Sequence, residues 1–184
     1  MAQRPSSFVS SYLNKLGLES DESASQSIGD LSGDRVVIGD DPADLPFTAH
    51  IVKSRSLKEI KSWIGNSDDT VRAHNIAMPM QKDLASIDPS QADHETLAHA
   101  AKRFVYGDSS AVSSFLDAID DNLGPFELLV VSAGTITIRP GQTLVFDGNT
   151  PKVVVADELI FDGAGANIES YVHLSMSIGK VVVK

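Results

Sequence analysis

Residues 144–163 hold the stretch that decides the fold: Leu144-Val145-Phe146-Asp147-Gly148 recurs fifteen positions later as Leu159-Ile160-Phe161-Asp162-Gly163. Each copy reads as a short strand running into an Asp-Gly turn. Strand-turn units of this kind stack into a β-solenoid when repeated often enough. Alternatively, Asp-Gly marks the turns of antiparallel hairpins. Two copies fall short of an array, so the expectation is an antiparallel sandwich or roll, with a short β-solenoid as the alternative.

The surrounding sequence supports a β-rich segment over 126–184. Short apolar or alternating runs occur at Leu128–Val131, Thr135–Ile138, Leu144–Phe146, Val153–Val155, Leu159–Phe161, Tyr171–Ile178 and Val181–Val183, which predicts six or seven strands. Pro140-Gly141 suits a tight turn, because proline presets φ and glycine accepts positive φ next to it. Between 171 and 178, Val172, Leu174, Met176 and Ile178 alternate with Tyr171, His173, Ser175 and Ser177, one set for a core and one for an open face. Val181–Val183, flanked by Lys180 and Lys184, has the make-up of an edge strand protected by charge.

Upstream the period changes. Arg35–Ile38 reads as a strand entering the turn Gly39-Asp40-Asp41-Pro42, with 47–53 as its partner. Residues 55–123 read as helical. Ser56 and Glu59 have capping-box spacing ahead of a helix over 57–64 with Leu57, Ile60 and Ile64 inward. Ser90 precedes a helix over 91–105 with Leu97, Ala101, Phe104 and Val105 on one face. Ser109 or Ser110 can cap a third, ending near 122 before Gly124. The fold class is therefore α+β, with 35–184 taken as a single domain.

Residues 1–34 contain nine serines and few large apolar groups after Leu18, a mix that buries too little surface to offset chain entropy. They read as a flexible arm carrying a short amphipathic helix at 7–17, with Phe8, Tyr12, Leu13 and Leu16 as candidate binding anchors.

Of 184 residues, 42% are hydrophobic and 22% charged, a globular balance, and the formal net charge is −10. That field repels phosphate backbones and anionic lipid, so neither nucleic acid nor membrane is an expected partner. There is no cysteine, which removes disulfides, thiolate metal sites and thiol nucleophiles. The N-terminus lacks the apolar run of a classical signal peptide and no stretch approaches a membrane span. The expected location is cytoplasmic, with non-classical export left open.

Motifs for chemistry fail on spacing. His94-Glu95 and His99 place the histidines five apart, about 140° from each other on a helix, where a zinc pair needs i, i+4. Gly163-Ala164-Gly165-Ala166-Asn167 is followed by Ile168 and a strand rather than glycine and a helix. Asp40, Asp41 and Asp44, and Asp117, Asp120 and Asp121, are acidic clusters of the kind that solvated surfaces carry. No catalytic residue, cofactor or metal is assigned, and whether the chain is an enzyme stays open, with the balance against it. Tyr171 and His173 join the arm residues as candidate binding positions. The expectation is a non-catalytic binding or assembly protein, a homo-oligomer or one that docks a protein partner. The alternative is a small enzyme or ligand-binding domain whose site gathers His99, His173 and acids from distant positions.

Overall fold

The computed structural model describes residues 8–18, 27–28, 33–45, 48–74 and 84–184. Its helices are α1 (Phe8–Lys15), α2 (Leu57–Ile64), α3 (Asp68–Ala73), α4 (His94–Tyr106) and α5 (Leu116–Leu123). Its strands are β1 (Ser27–Ile28), β2 (Arg35–Ile38), β3 (Thr48–Ser54), β4 (Phe126–Ile138), β5 (Thr143–Phe146), β6 (Lys152–Phe161), β7 (Asn167–Ser170) and β8 (Leu174–Val183). The protein is mixed α+β. It divides into two compact units, one of residues up to Val52 with Glu127–Lys184, the other Lys53–Phe126. Of the flexible arm expected over 1–34, residues 1–7, 19–26 and 29–32 lie outside the described residues.

In the β unit the expected antiparallel sandwich or roll is replaced by the alternative. One sheet has the order β1-β4-β6-β8, with β3 also pairing β4, and the other has β2-β5-β7. The pairs β1–β4, β4–β6, β6–β8, β2–β5 and β5–β7 are all parallel. Leu129 pairs with Lys152 and Lys152 with Leu174, while Thr143 pairs with Asn167. Partners are thus separated by 22–24 positions, the length of one full circuit that returns each strand beside its predecessor. A hairpin would bring the chain back antiparallel after a few residues. This is a short β-solenoid.

Each circuit has three sides. The β4–β6 ladder runs from Leu129↔Lys152 to Ala133↔Ala156, skips Gly134 and Asp157, and resumes at Thr135↔Glu158. The β6–β8 ladder skips the matching Asp157 and Gly179. At that shared position the inward-facing set changes parity: Leu129, Val131 and Ala133 point into the core before it, Ile136 and Ile138 after it. A parity change without a break in the coil means a corner. The first side is therefore 129–133 in β4, the second 135–138, and the third β5. Six of the short runs in the sequence thereby fuse in pairs into β4, β6 and β8. The fifteen-residue repeat is not the coil period: Leu144–Phe146 lies on the third side and Leu159–Phe161 on the second, so its two Asp-Gly turns are corners.

Pairing for the early strands also differs from expectation. β2 lies beside β5, with Val36↔Leu144 and Ile38↔Phe146, and β3 pairs β4 rather than β2. Phe47 lies outside the described residues. A coil stacks identical sides on one another, so the neighbour of β2 is the third side of the next circuit.

The core rows run along the stack: Val131, Val154 and Met176; Ala133, Ala156 and Ile178; Ile136, Leu159 and Val181. The opposite face of the same strands is apolar as well, with Leu128, Val130, Val153 and Val155 buried, as expected of a parallel sheet covered on both faces. Against β6 and β8 packs α1, which buries Val9 and Leu13, with Leu16 buried just past its end. The Val9 N–H at its first turn donates to Asp157 Oδ1 at 3.1 Å.

One row is interrupted by charge. Lys152 stands between Leu129 and Leu174 and is fully buried. Its ammonium donates to Asp40 Oδ1 at 2.8 Å and to the Thr150 carbonyl at 3.1 Å. Asp40 also accepts the N–H groups of Asn149 and Thr150. Gly148, at φ +113°, completes the corner, since a Cβ there would fall on the Asp40 carboxylate.

In the helical unit, α4 and the turn that leads into α5 are capped by aspartates rather than by the expected serines, while Ser67 caps α3 by accepting the Thr70 N–H at 3.1 Å. Asp93 caps α4 through Thr96 N–H at 2.8 Å, so α4 begins at His94, while Ser90 lies in a preceding turn. Its buried face is Leu97, Ala100, Phe104 and Val105. Ser56 makes no side-chain cap for α2; Asp120 of α5 accepts the Leu57 N–H at 2.9 Å and Ser54 binds Glu59 instead. Asp108 caps the turn over Ser109–Phe115 that leads into α5. Lys61 of α2 reaches the Phe104 and Gly107 carbonyls at 2.8 and 3.2 Å, satisfying the C-terminal end of α4. It also pairs with Asp68 at 3.0 Å. The Ser109 hydroxyl and N–H, followed by Lys61, hold Asp68 at a pKa of about 2.

Two stability outcomes follow. Asp40→Ala strands a buried ammonium and should cost about 3–5 kcal/mol, whereas Lys152→Met leaves only a partly hydrated carboxylate and should cost far less; urea denaturation followed by far-UV circular dichroism checks the asymmetry. Asp68 has its pKa depressed by folding, so its contribution is full above about pH 4 and is lost as pH falls toward 2. With solvent screening, that is on the order of 1 kcal/mol. The fluorescence of Trp63, the single tryptophan and part of α2, reports this unit. Asp68→Asn should flatten its loss of stability between pH 4 and 2.

Candidate assembly surface

The last circuit of the solenoid, β7 and β8, ends both strand orders, and no other strand among the described residues lies along their outer edges. In the preceding circuit the inward residues Val154, Ala156 and Leu159 are buried. In the last one, the matching Met176 and Ile178 are half-buried, and Val181 is 56% exposed. Val183, which continues the row of Ile138 and Phe161, is 76% exposed. The core is thus open at this end, and each of its rows stops in an apolar side chain that has a neighbour on one side only. An open core beside a free strand edge is a template for another strand.

The charged groups around this end are satisfied within the chain. Lys180 pairs with Glu158 at 2.8 Å and Lys184 with Asp162 at 3.4 Å. Glu169 of β7 holds Arg35 at 3.1 Å and accepts the Tyr171 hydroxyl at 3.2 Å. Tyr171 first, and then Glu169, raise the pKa of the Arg35 guanidinium. The ammonium groups therefore lean back toward the preceding circuit, which leaves the apolar row ends uncovered.

The residues singled out from sequence fall in two places. Leu13 and Leu16 are packed against the protein's own sheet, together with Val9, which the sequence reading missed although 9, 13 and 16 share a helical face. Phe8 is 42% exposed, its ring 6.5 Å from that of Tyr12, and Lys15 lies 5.7 Å above the Tyr12 ring. Tyr171 is 67% exposed in the turn before β8. His173 is exposed and its carbonyl accepts the Lys152 N–H at 2.8 Å, continuing the ladder rather than shaping a pocket. His99 lies on α4, 3.8 Å from Glu95, as i, i+4 spacing implies. Among the described residues no three His, Asp or Glu side chains group in a way that could hold a metal ion. Asp40 and Asp41 are taken up by Lys152 and by the Ala43 N–H.

Comparison of the chain with known families, characterised proteins and solved structures finds no match. The surface must be read from its own chemistry.

Phe8 tests how α1 is used. Leu13→Ala should cost about 2–5 kcal/mol because it empties a packed site, while Phe8→Ala should cost little; thermal unfolding by circular dichroism separates the two.

Proposed function

We propose that the protein is a non-catalytic assembly module that self-associates through the open end of its β-solenoid. The carrying observation is the exposure of Val181 and Val183 at the ends of core rows, beside the unpaired edge of β8. Repeat architectures need a polar cap where their core would otherwise meet water. Here no strand among the described residues caps β8, and Lys180 and Lys184 are turned to Glu158 and Asp162. A second copy of the chain removes the exposed apolar rows and pairs the edge at once. α1 supports this choice of surface, since its apolar face already lies on β6 and β8.

Other features agree with this reading. The net charge of −10 disfavours nucleic acid and anionic lipid as partners, and no helix among the described residues is long and apolar enough to cross a membrane. Lack of cysteine suits a reducing, cytoplasmic setting. The enzyme alternative draws less support: His99 lies beside Glu95 on its own helix, and the carbonyl of His173 continues the strand ladder to Lys152.

Light scattering after size exclusion tests the proposal on the full chain. The wild type should give a multiple of 19.6 kDa, and Val181→Glu with Val183→Glu should return it to the monomer with its circular dichroism unchanged. A wild type that is monomeric across the micromolar range, or a charged variant that keeps the assembled mass, would overturn it.

A further inference from the structure

We infer that the open end receives the same end of a second copy, related by a two-fold axis through Met176, and that the assembly closes at two chains. This rests on the assembly reading above and specifies the partner surface and its geometry.

The two ends of the coil differ. At the opposite end β2 also finishes its strand order, yet its inward residues are covered: Val36 is 8% exposed and Ile38 is fully buried. Leu45, between β2 and β3, and Ala49 of β3 pack against the same core. That end presents no open row, so a head-to-tail stack would set Val181 and Val183 against a covered surface. The open end is matched by another open end. Such an isologous contact closes at two copies, whereas a head-to-tail contact extends without limit.

The rim of the open end selects the axis. It consists of one circuit: β7 on the third side, then Leu174–Ile178 on the first and Lys180–Val183 on the second. A coil climbs by one strand spacing, about 4.8 Å, per circuit, so β7 is the lowest part of this rim and the second side of β8 the highest. A two-fold through the middle of the first side exchanges the low side with the high one. The gap between the copies is then equal on all three sides, and every strand of the rim gains a partner. An axis through the corner between the first and second sides would oppose the two copies of β7 and leave them about one spacing further apart.

The middle of the first side is Met176, and the sequence around it, Leu174-Ser175-Met176-Ser177-Ile178, alternates symmetrically. Reversal about Met176 sets Leu174 against Ile178, Ser175 against Ser177 and Met176 against itself. Opposed residues of an antiparallel pair share a face, and all five positions meet this condition, apolar groups inward and serines outward. A slip by one residue sets Met176 against a serine.

On the remaining sides, the four residues Lys180–Val183 of one copy lie along the four residues of β7 in the other. Val181 and Val183 thereby meet Ser170 and Ile168, which continue the inward rows of Phe146 and Leu144. The corners absorb the difference in chain length, as they already do within the coil: between the pairs Phe146↔Ser170 and Lys152↔Leu174 one circuit uses five residues and the next three. The axis also places the side bearing Lys180 against the side bearing Glu169, so lysine does not meet lysine.

The chain contains no cysteine, so introduced thiols report on this register without background. Ser175 of one copy opposes Ser177 of the other, and an antiparallel pair brings Cα atoms to about 4.5–5.5 Å, within disulfide reach. The two copies of Ser175 are offset by two residues, roughly 7 Å along the strand on top of the gap between strands, which lies beyond that reach. The same holds for the two copies of Ser177. Co-expressed full-length Ser175→Cys and Ser177→Cys chains should therefore form a disulfide-linked dimer under mild oxidation, severalfold more than either variant expressed alone. Each variant should keep the wild-type solution mass of two chains. A dimer that Val181→Glu with Val183→Glu dissociates, but in which the co-expressed pair cross-links no better than the single variants, would overturn the axis and leave the assembly reading standing. Mass that rises continuously with concentration would overturn the closed dimer in favour of a head-to-tail stack, and a monomeric wild type would overturn both readings.

Discussion

The β unit depends on one ion pair. Lys152 places an ammonium in a row whose neighbours are Leu129 and Leu174, and a buried charge is tolerable only with full hydrogen bonding. Asp40 and the Thr150 carbonyl supply it. Asp40 lies two residues past the end of β2, while its partners lie at 149–152, so the contact ties the earlier circuit to the corner of the later one. Between them in sequence the chain runs through the whole helical unit. A contact that spans such an excursion fixes the register of β2 on β5 more strictly than apolar rows can, because a shift by one residue would strand the lysine.

The second constraint is the stacked corner at Gly134, Asp157 and Gly179. There each long strand bends and its inward set changes parity, so one strand serves two sides of the coil. Gly179 is required for this packing, since a Cβ would come within 2.8 Å of the Asp157 carbonyl. The Asp157 side chain is then free to receive the first turn of α1. Thus the corner that shapes the core also positions the helix that covers the outer face.

The helical unit is organised by side-chain contacts to helix ends. Lys61 satisfies carbonyls at the end of α4, Asp120 receives the first N–H of α2, and Asp68 binds Ser109. Each places charge where an unpaired backbone group of opposite character would otherwise remain. Aspartate took the capping positions at 93 and 108 ahead of the neighbouring serines, since a carboxylate is the stronger acceptor next to a helix N-terminus.

The sequence by itself determined the α+β character, the helices in the middle segment, the strand content of 126–184, and the inward set Val172, Leu174, Met176 and Ile178. These rest on local periodicity and on short-range turn chemistry, which act within a few residues. It also carried the edge character of Val181–Val183. Tertiary structure alone decided that the strands run parallel, because an Asp-Gly turn serves a hairpin and a solenoid corner equally well. The repeat that drew attention was spaced fifteen residues apart, across two sides of the coil. The true period of 22–24 is carried by apolar rows with little sequence identity and by the small or acidic residues of one corner. The pairing of Lys152 with Asp40, and the burial of Leu13 and Leu16 on the protein's own sheet, were likewise settled by the fold. A lone lysine in an apolar run and an amphipathic helix on a serine-rich arm acquire their roles from what lies opposite them, and that is fixed only when distant segments meet.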